Sequence, residues 1–351
     1  MERRGPVRRG ERVRFPALYA ALATPIGEQG KIDLAVFDKL CDFVAARGVD
    51  GVCIGGATAE YPRFELDERK ALIWRAARRL PPDTTMLVAI GAPSVERMVT
   101  LGAEALDAGA EALLLPMPAF FRYQQQDLEA TARHLARTLR APCFLYDLPE
   151  FTNPIDTATV VDLLTSEEHI VGIKDSSGRP ENLVRYVEAR GGNPWTLIMG
   201  DDRHSLASLE AGWDGGISGL ACCCPELLVA LYEGVRAGDH SEARRCQGLL
   251  DQLIARVAVL PVPWGVRVVL RARGIDTGPL PLPLSEERQG QIQRLEAWAS
   301  DWIEDAGIAR LRKGATGDGG ARSLREPSSR LETHAPGPDG RAGGAPASTR
   351  R

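Results

Sequence analysis

The sequence predicts an α/β protein, a (β/α)8 TIM barrel with a C-terminal helical extension. The first observation is that apolar, strand-like runs alternate with amphipathic stretches of helical spacing along most of the 351 residues. The second is that single helices separate consecutive strands, which requires crossover connections and therefore parallel pairing. The third is the number of units, because eight of them within about 200 residues suit a closed barrel better than an open sheet.

The strands and the first helix can be placed in order. Strand-like runs lie at about 17–23, 50–55, 85–90, 111–115, 142–146, 170–174, 196–200 and 214–218. Between the first two runs, a helix is predicted whose apolar stripe consists of Leu34, Phe37, Leu40, Cys41 and Val44. A doubly wound sheet is the alternative, but residues 55–60 lack the spacing and the helix context of a dinucleotide-binding fingerprint.

Downstream of the eighth strand the pattern is helical. Helices are predicted at residues 225–235, 241–259, 263–273 and 285–306. We predict a loose basic segment at residues 1–14 and a catalytic barrel domain at residues 15–222. A helical region at residues 223–308 and a disordered tail at residues 309–351 follow. The tail has too few large apolar residues to offset the entropy of ordering.

Charge and cysteine content restrict the class of partner and the compartment. The net charge of −4 gives no reason to expect a nucleic acid or an anionic membrane as partner, and no apolar run reaches membrane-spanning length. Seven cysteines, an odd number, favour a reducing cytoplasm over a disulfide framework. The segment Ala21-Leu22-Ala23 resembles a signal-peptide cleavage site, but removing it would delete the first predicted strand.

No metal or cofactor is expected from the motifs. Cys222, Cys223 and Cys224 are adjacent, so their side chains point in different directions, and no second cluster has ligand spacing. We interpret the triplet as small buried residues that lead into a helix. The five histidines are too far apart to suggest a ligand set.

Lys174 is the most informative residue of the chain. Only five of the 43 basic residues are lysines, and Lys174 alone ends a short apolar strand-like run. Arginine cannot form an imine, whereas a desolvated lysine can lose its proton and attack a ketone. A solvated lysine at a strand end is the alternative. In a barrel, function lies where strands end, so Lys174 is predicted to project into the barrel mouth.

Two further strand ends offer suitable partners for such an amine. Tyr146 ends the neighbouring fifth strand and has a phenol that could carry protons to and from an adduct. The turn Gly56-Ala57-Thr58 after the second strand offers backbone amides with little side-chain bulk, which suits a carboxylate. Asp201-Asp202 is interpreted as a helix N-cap pair, and Glu60 as a structural tie of the second loop.

At these residues the chain resembles the pyruvate-dependent class I aldolases typified by dihydrodipicolinate synthase and N-acetylneuraminate lyase. The resemblance runs from about Phe15 to Ala306. Its specific motifs are Leu145-Tyr146-Asp147-Leu148-Pro149 and Val171-Gly172-Ile173-Lys174-Asp175-Ser176-Ser177-Gly178. Weaker segments that support it by order and spacing are Ala21 to Pro25, Val49-Asp50-Gly51, Gly56-x-Thr58-x-Glu60, Gly200-Asp201-Asp202 and Gly216-Ile217-Ser218-Gly219.

The resemblance implies roles for the residues that match. Lys174 would form an imine with pyruvate or with a 2-keto acid that yields pyruvate, and Tyr146 would be the proton-handling phenol. The turn with Gly56, Ala57 and Thr58 would hold the pyruvate carboxylate, and Ile217 would line the substrate pocket. Family members are commonly tetramers, dimers of dimers, so a homotetramer or a dimer is expected, without a cofactor.

Three departures from the family pattern concern the second half of the reaction. Ala57 stands where the synthases carry a relay hydroxyl. Phe120 (Phe121 if the loop alignment slips by one) stands where a neighbouring subunit's tyrosine would complete the relay. Phe151 lies at or near the place of an arginine that grips the second substrate's carboxylate, a bidentate contact that an aromatic ring cannot make.

Three functions follow as hypotheses. The first is a class I lyase or aldolase that releases pyruvate from, or joins it to, an aldehyde, with a 2-keto-3-deoxy sugar acid or 4-hydroxy-2-oxo acid as substrate. The second is a 4-hydroxy-tetrahydrodipicolinate synthase of lysine biosynthesis, which the departures weaken. The third is a non-catalytic 2-keto acid binder.

Overall fold

The computed structural model describes Phe15 and residues 17–308, and it confirms the predicted closed barrel. Eight parallel strands follow each other around the barrel in chain order, and the last pairs with the first. They are β1 Leu18–Ala21, β2 Gly51–Ile54, β3 Thr85–Ala89, β4 Ala112–Pro116, β5 Cys143–Asp147, β6 Ile170–Asp175, β7 Thr196–Met199 and β8 Gly215–Ser218. The predictions made for residues 1–14 and 309–351 lie outside the described residues.

Helices alternate with the strands and then continue alone. Seven lie between or after the first seven strands: α1 Leu34–Ala45, α2 Leu66–Arg79, α3 Val95–Asp107, α4 Gln125–Leu139, α5 Thr157–Ser166, α6 Glu181–Arg190 and α7 Ser205–Glu210. A single 3-10 turn, Leu220–Cys222, then leads into the last four: α8 Pro225–Ala237, α9 His240–Val257, α10 Trp264–Ala272 and α11 Glu286–Asp305. The predicted C-terminal helical extension is therefore present.

Side-chain caps explain where several helices begin. Asp33 accepts hydrogen bonds from the amides of Ala35 and Val36, both at 3.0 Å, at the start of α1. Ser285 caps α11 in the same way by accepting from the amide of Arg288 at 3.2 Å. Such caps satisfy amides that have no partner within the first turn of a helix.

The barrel is filled by a core of its own. Tyr19, Cys53, Leu114, Phe144 and Ile198 belong to one buried cluster inside the strands, while a larger cluster packs the helices onto the outside. Gly172 leaves room for this filling, since a Cβ there would lie 2.7 Å from the Phe144 ring. Because the interior is packed with side chains, only the ends of the strands are available for chemistry.

The cysteines pack in the core, as predicted for the triplet. All seven are buried and free. Cys222 Sγ accepts from the amide of Ala23 at 3.4 Å, and the Cys223 thiol donates to the Leu220 carbonyl at the same distance. Within the described residues, no group of three metal-ligating side chains could hold an ion, and no helix is long and apolar enough to cross a bilayer.

Candidate active site

Lys174 and Tyr146 face each other at the carboxyl ends of adjacent strands. The two residues are partners in the register of β5 and β6, and each is less than 5 % exposed. The Lys174 Nζ atom lies 4.1 Å from the centroid of the Tyr146 ring. The structure therefore brings together the amine and the phenol that the sequence predicted, in a site with little access to bulk water.

Gly200, just after β7, provides the space that the lysine side chain occupies. A Cβ at this position would lie 2.8 Å from Lys174 Cε and would overlap the Ser176 hydroxyl. Real Cβ atoms do not approach so closely, so the buried Lys174 side chain and the Ser176 hydroxyl would have to move. The Gly200 backbone thus fixes the path of the Lys174 side chain across the barrel mouth.

The turn after β2 presents backbone amides that have no acceptor in the part of the chain that the structure describes. Within the described chain, the amides of Gly56, Ala57 and Thr58 donate to no protein acceptor. A Cβ at Gly56 would have no atom within 4 Å, so the space in front of the turn is open. Unpaired amides beside an open space can bind a carboxylate group.

The remaining predicted pocket residues line the same end of the barrel. Ile217 on β8 is 1 % exposed and belongs to the interior cluster that includes Tyr146. Ala57 packs against that cluster. Thr58 is buried, and its hydroxyl would lie 3.1 Å from a Cβ at Gly219, so the second and eighth strand ends meet closely here.

Asp202 is a site residue that the sequence did not reveal. Asp201 caps the following turn as predicted, since it accepts from the Arg203 amide at 3.1 Å. Asp202 instead turns toward β8, where it accepts from the Leu220 amide at 3.4 Å. Burial raises the pKa of Asp202 to about 6, while hydrogen bonds from Ser218 and Leu220 and the charge of Lys174 oppose the rise.

A second pair of carboxylates lies behind the amine and the phenol. Asp147 and Asp175 follow Tyr146 and Lys174 on the same two strands, are register partners, and are at most 3 % exposed. Asp175 accepts from the Ser177 amide at 2.7 Å and from Asn182 at 2.8 Å. Asp147 accepts from the Ile155 amide at 3.3 Å through one oxygen, and its other oxygen has no partner among the described residues.

This pair is electrostatically unfavourable for Asp147. Burial, and then the charge of Asp175, raise the pKa of Asp147 to about 6. Asp175 accepts hydrogen bonds from two donors, whereas Asp147 accepts one. The hydrogen bonds of the two acids hold the loops that follow β5 and β6.

Phe120 and Phe151 lie together on the surface of the loops after β4 and β5. They line one groove formed by residues 120–122 and 149–153. Phe120 is 94 % exposed and has a φ of 72°, a left-handed conformation that is uncommon for a bulky residue. Asn153 holds this loop by donating to the carbonyls of Pro118 and Phe121, both at 2.7 Å.

Together these groups can perform imine chemistry on a small keto acid. An amine can attack the ketone, a phenol can handle the proton and free amides can hold the carboxylate. Asp202 adds a carboxylate acceptor beside the end of β8. An amine, a phenol and a set of backbone amides therefore lie at the same end of the barrel.

Comparisons with known proteins show the family of the chain. The model of the Dihydrodipicolinate synthetase family matches residues 14–300. The chain is 32 % identical over 299 residues to 4-hydroxy-tetrahydrodipicolinate synthase 1 of Streptomyces coelicolor, covering 84 % of this chain and 96 % of that protein. It is 27 % identical over 291 residues to a probable 2-dehydro-3-deoxy-D-pentonate aldolase of Escherichia coli, covering 80 % and 96 %.

A solved structure supports the fold independently. Dihydrodipicolinate synthase from Aquifex aeolicus superposes with a TM-score of 0.78 at 24 % identity, over 85 % of this chain and all of that one. The match to the family model over residues 14–300 confirms the family resemblance found in the sequence. The chain is an enzyme of the lyase class and belongs to the Dihydrodipicolinate synthetase family.

Proposed function

We propose that this enzyme forms a Schiff base between Lys174 and pyruvate, or a 2-keto acid that yields pyruvate, as a class I aldolase. The observation that carries the proposal is the buried Lys174 amine, 4.1 Å from the Tyr146 ring. The unused amides at residues 56–58 supply the anion site that a 2-keto acid requires. A 2-keto-3-deoxy sugar acid or another 4-hydroxy-2-oxo acid is the proposed substrate class.

In the cleavage direction the reaction passes through an iminium ion and then an enamine. The Lys174 amine adds to the C2 carbonyl, and loss of water leaves an iminium ion. This ion accepts the electron pair of the C3–C4 bond as that bond breaks, while the C4 hydroxyl gives up its proton and becomes an aldehyde. Tyr146 is the proposed carrier of that proton. The enamine is then protonated at C3, and hydrolysis releases pyruvate and the free amine.

The environment of Asp202 supports a hydroxylated substrate. Its carboxylate lies beside Ser218 at the end of β8 and within electrostatic reach of Lys174. A carboxylate of this kind can accept hydrogen bonds from the hydroxyl groups of a sugar acid. By contrast, Phe151 offers no donor for a second carboxylate.

The lysine-biosynthetic synthase is the second candidate. It is favoured by the Streptomyces coelicolor relative, which has that activity in its name. It is disfavoured by Ala57, Phe120 and Phe151, which lack the hydroxyls and the guanidinium expected from the resemblance. Rescue of a lysine-pathway auxotroph by this chain would support the synthase, and failure would count against it. Because Lys174 and Tyr146 are both in place, nothing in the described chain favours a non-catalytic binder.

Borohydride trapping tests the proposal directly. Reduction in the presence of pyruvate is expected to leave a stable adduct on Lys174, which peptide mass spectrometry locates. Lys174→Arg removes the amine and should abolish the adduct. Lys70→Arg changes a surface lysine paired with Asp67 and Glu104 and should leave trapping unchanged. The absence of any adduct on Lys174 in the unaltered enzyme would refute the proposal.

A panel of substrates then identifies the second half of the reaction. Release of pyruvate is measured from 2-keto-3-deoxy sugar acids, from shorter 4-hydroxy-2-oxo acids and from analogues without hydroxyl groups beyond C4. We expect the polyhydroxylated acids to give the highest kcat/KM. Equal kcat/KM for the analogues would contradict the role given to Asp202.

We also propose that the enzyme works as a homo-oligomer, a tetramer or dimer. The support is the aromatic face formed by Phe120 and Phe121, whose rings lie 4.9 Å apart and which are 94 % and 64 % exposed. Large apolar side chains held out from a well-anchored loop are typical of an interaction surface. Phe120→Asp is expected to shift the sedimentation of the protein toward a smaller species. An unchanged sedimentation coefficient would contradict this use of the face.

A further inference from the structure

Arg267 is a buried arginine of α10 whose donors all converge on two segments near the barrel mouth. It is 1 % exposed. Its Nη1 donates to Glu60 at 3.1 Å, and its Nε donates to the Thr277 hydroxyl at 3.1 Å. Its Nη2 faces three successive carbonyls, those of Thr277 at 2.8 Å, Gly278 at 3.3 Å and Pro279 at 2.8 Å. A buried charge is stable only when it is matched in this way.

The first segment is the turn that carries the unused amides. Glu60 closes that turn, since its own amide donates to the Ala57 carbonyl at 2.9 Å and its carbonyl accepts from the Arg63 amide at 3.0 Å. Its φ of 51° is left-handed, a conformation that is unfavourable for a residue with a side chain. The Glu60 side chain accepts from Arg63 at 3.3 Å through one oxygen and from Arg267 through the other, and these contacts hold the turn from the side.

The second segment links the C-terminal region to the loop after β1. The Thr277 carbonyl that accepts from Arg267 also accepts from the Ile26 amide at 2.9 Å. Gly278 packs directly on the Ile26 backbone. Arg267 thus ties together the loop after β1, the loop after β2 and residues 277–279, which come from three distant parts of the chain.

We propose that Arg267, acting through Glu60, is a positioning residue that holds the amides of residues 56–58 toward the substrate carboxylate. The inference rests on the proposed function, in which that turn binds the carboxylate of pyruvate. Arg267 contacts neither the substrate nor Lys174 in this scheme. Its effect should appear in the binding of the carboxylate and leave the reactivity of the amine unchanged.

The geometry accounts for an arginine at this place. A guanidinium has five donors in a rigid fork, and here they reach a carboxylate, a hydroxyl and three carbonyls at once. A lysine keeps the charge but is a point donor with three hydrogens. A single ammonium cannot reach Glu60 and residues 277–279 together, so Arg267→Lys should weaken the tie between the two segments and the hold on Glu60.

Arg273 offers a matched control in the same helical region. It is also fully buried, and it donates to Glu226 at 2.6 Å and to the Cys223 carbonyl at 3.3 Å. Its partner Glu226 begins α8 and is far along the chain from the amide-bearing turn. Arg273→Lys should cost stability as Arg267→Lys does, with no change in the binding of a carboxylate.

The experiment compares two ketones as probes of imine formation. Borohydride trapping on Lys174 is measured against the concentration of pyruvate and of methyl pyruvate, whose ester has no negative charge. Arg267→Lys and Glu60→Gln are expected to raise the half-saturating pyruvate concentration about tenfold, the scale of one lost charge-assisted contact. The half-saturating concentration of methyl pyruvate and the trapping at saturating pyruvate should change less than about twofold.

Three outcomes would overturn the inference. One is an unchanged half-saturation for pyruvate in Glu60→Gln, a nearly isosteric change that keeps the experiment informative if Arg267→Lys does not fold. Another is an equal shift for the two ketones, which indicates a general structural defect. The third is an equal shift in Arg273→Lys. If the unaltered enzyme traps no pyruvate at all, the proposed function fails, and the inference fails with it. If the unaltered enzyme traps pyruvate but one of these three outcomes is found, only the inference fails.

Discussion

Replacing Asp147 with asparagine is expected to stabilise the folded protein at neutral and alkaline pH. Asp147 is completely buried, and one of its oxygens has no hydrogen-bond partner among the described residues. Its other oxygen accepts from the Ile155 amide, a contact that an asparagine carbonyl can keep. The change therefore removes a charge that faces Asp175 and preserves the hydrogen bond that the structure uses.

The magnitude follows from the pKa of the buried acid. Burial and the neighbouring carboxylate raise the pKa of Asp147 from 3.8 to about 6. Ionising it at pH 8 thus costs the folded state about 3 kcal/mol relative to the unfolded chain. Because the folded-state pKa is the higher one, the cost enters as the pH rises from the unfolded value through about 6, and it is absent in strong acid.

Urea unfolding followed by tryptophan fluorescence measures this difference. Asp147→Asn should raise the free energy of unfolding by about 3 kcal/mol at about pH 8 and by roughly half as much at about pH 5. Glu226→Gln is a contrasting variant. Burial alone would raise the pKa of Glu226, but hydrogen bonds from Arg273 hold it below its usual value, so this variant should lose stability. An Asp147→Asn protein that is no more stable at pH 8, or equally stabilised at both pH values, would refute the reasoning.

Three other changes test the geometry of the barrel mouth. Gly200→Ala places a methyl group 2.8 Å from Lys174 Cε and should reduce imine trapping at least about tenfold. Gly248→Ala, where a Cβ meets open space, should leave trapping unchanged. An equal effect of both variants would contradict the role of Gly200. Tyr146→Phe keeps the ring beside the amine and should lower kcat about a hundredfold if the phenol carries the proton; an unchanged kcat would exclude that role. The pKa of Asp202 is raised to about 6, so Asp202→Asn should remove any change in kcat/KM that the wild-type enzyme shows near about pH 6. If the pH profile of kcat/KM stays the same, another group causes that change.

The fold was predictable because each strand carries its own signal. Parallel strands buried on both faces appear as continuous apolar runs, and the helices between them show a one-sided stripe. Once the order of strands was known, Lys174 on β6 and Tyr146 on β5 had to meet at one end of the barrel. Local patterns and one topological rule were sufficient for both residues.

Other features depend on contacts that no local pattern records. Asp202 matches the pattern of a helix cap, and its turn toward Leu220 and Ser218 arises only because β7 and β8 are neighbours. Glu60 was predicted to tie its loop, but its partner Arg267 lies 207 residues away along the chain. Long-range pairs of this kind form when separate elements pack, so the sequence gives no periodicity by which to find them.

The buried free cysteines provide a built-in set of probes for the dynamics of this enzyme. Burial raises the pKa of Cys53 to about 11 and that of Cys143 to about 12, so both thiols are protonated and inaccessible in the folded state. An alkylating reagent can modify such a thiol only after the surrounding segment opens. Because these residues are spread over the strands, the outer helices and the turn after β8, pulsed alkylation would rank local unfolding across the barrel without any engineered label.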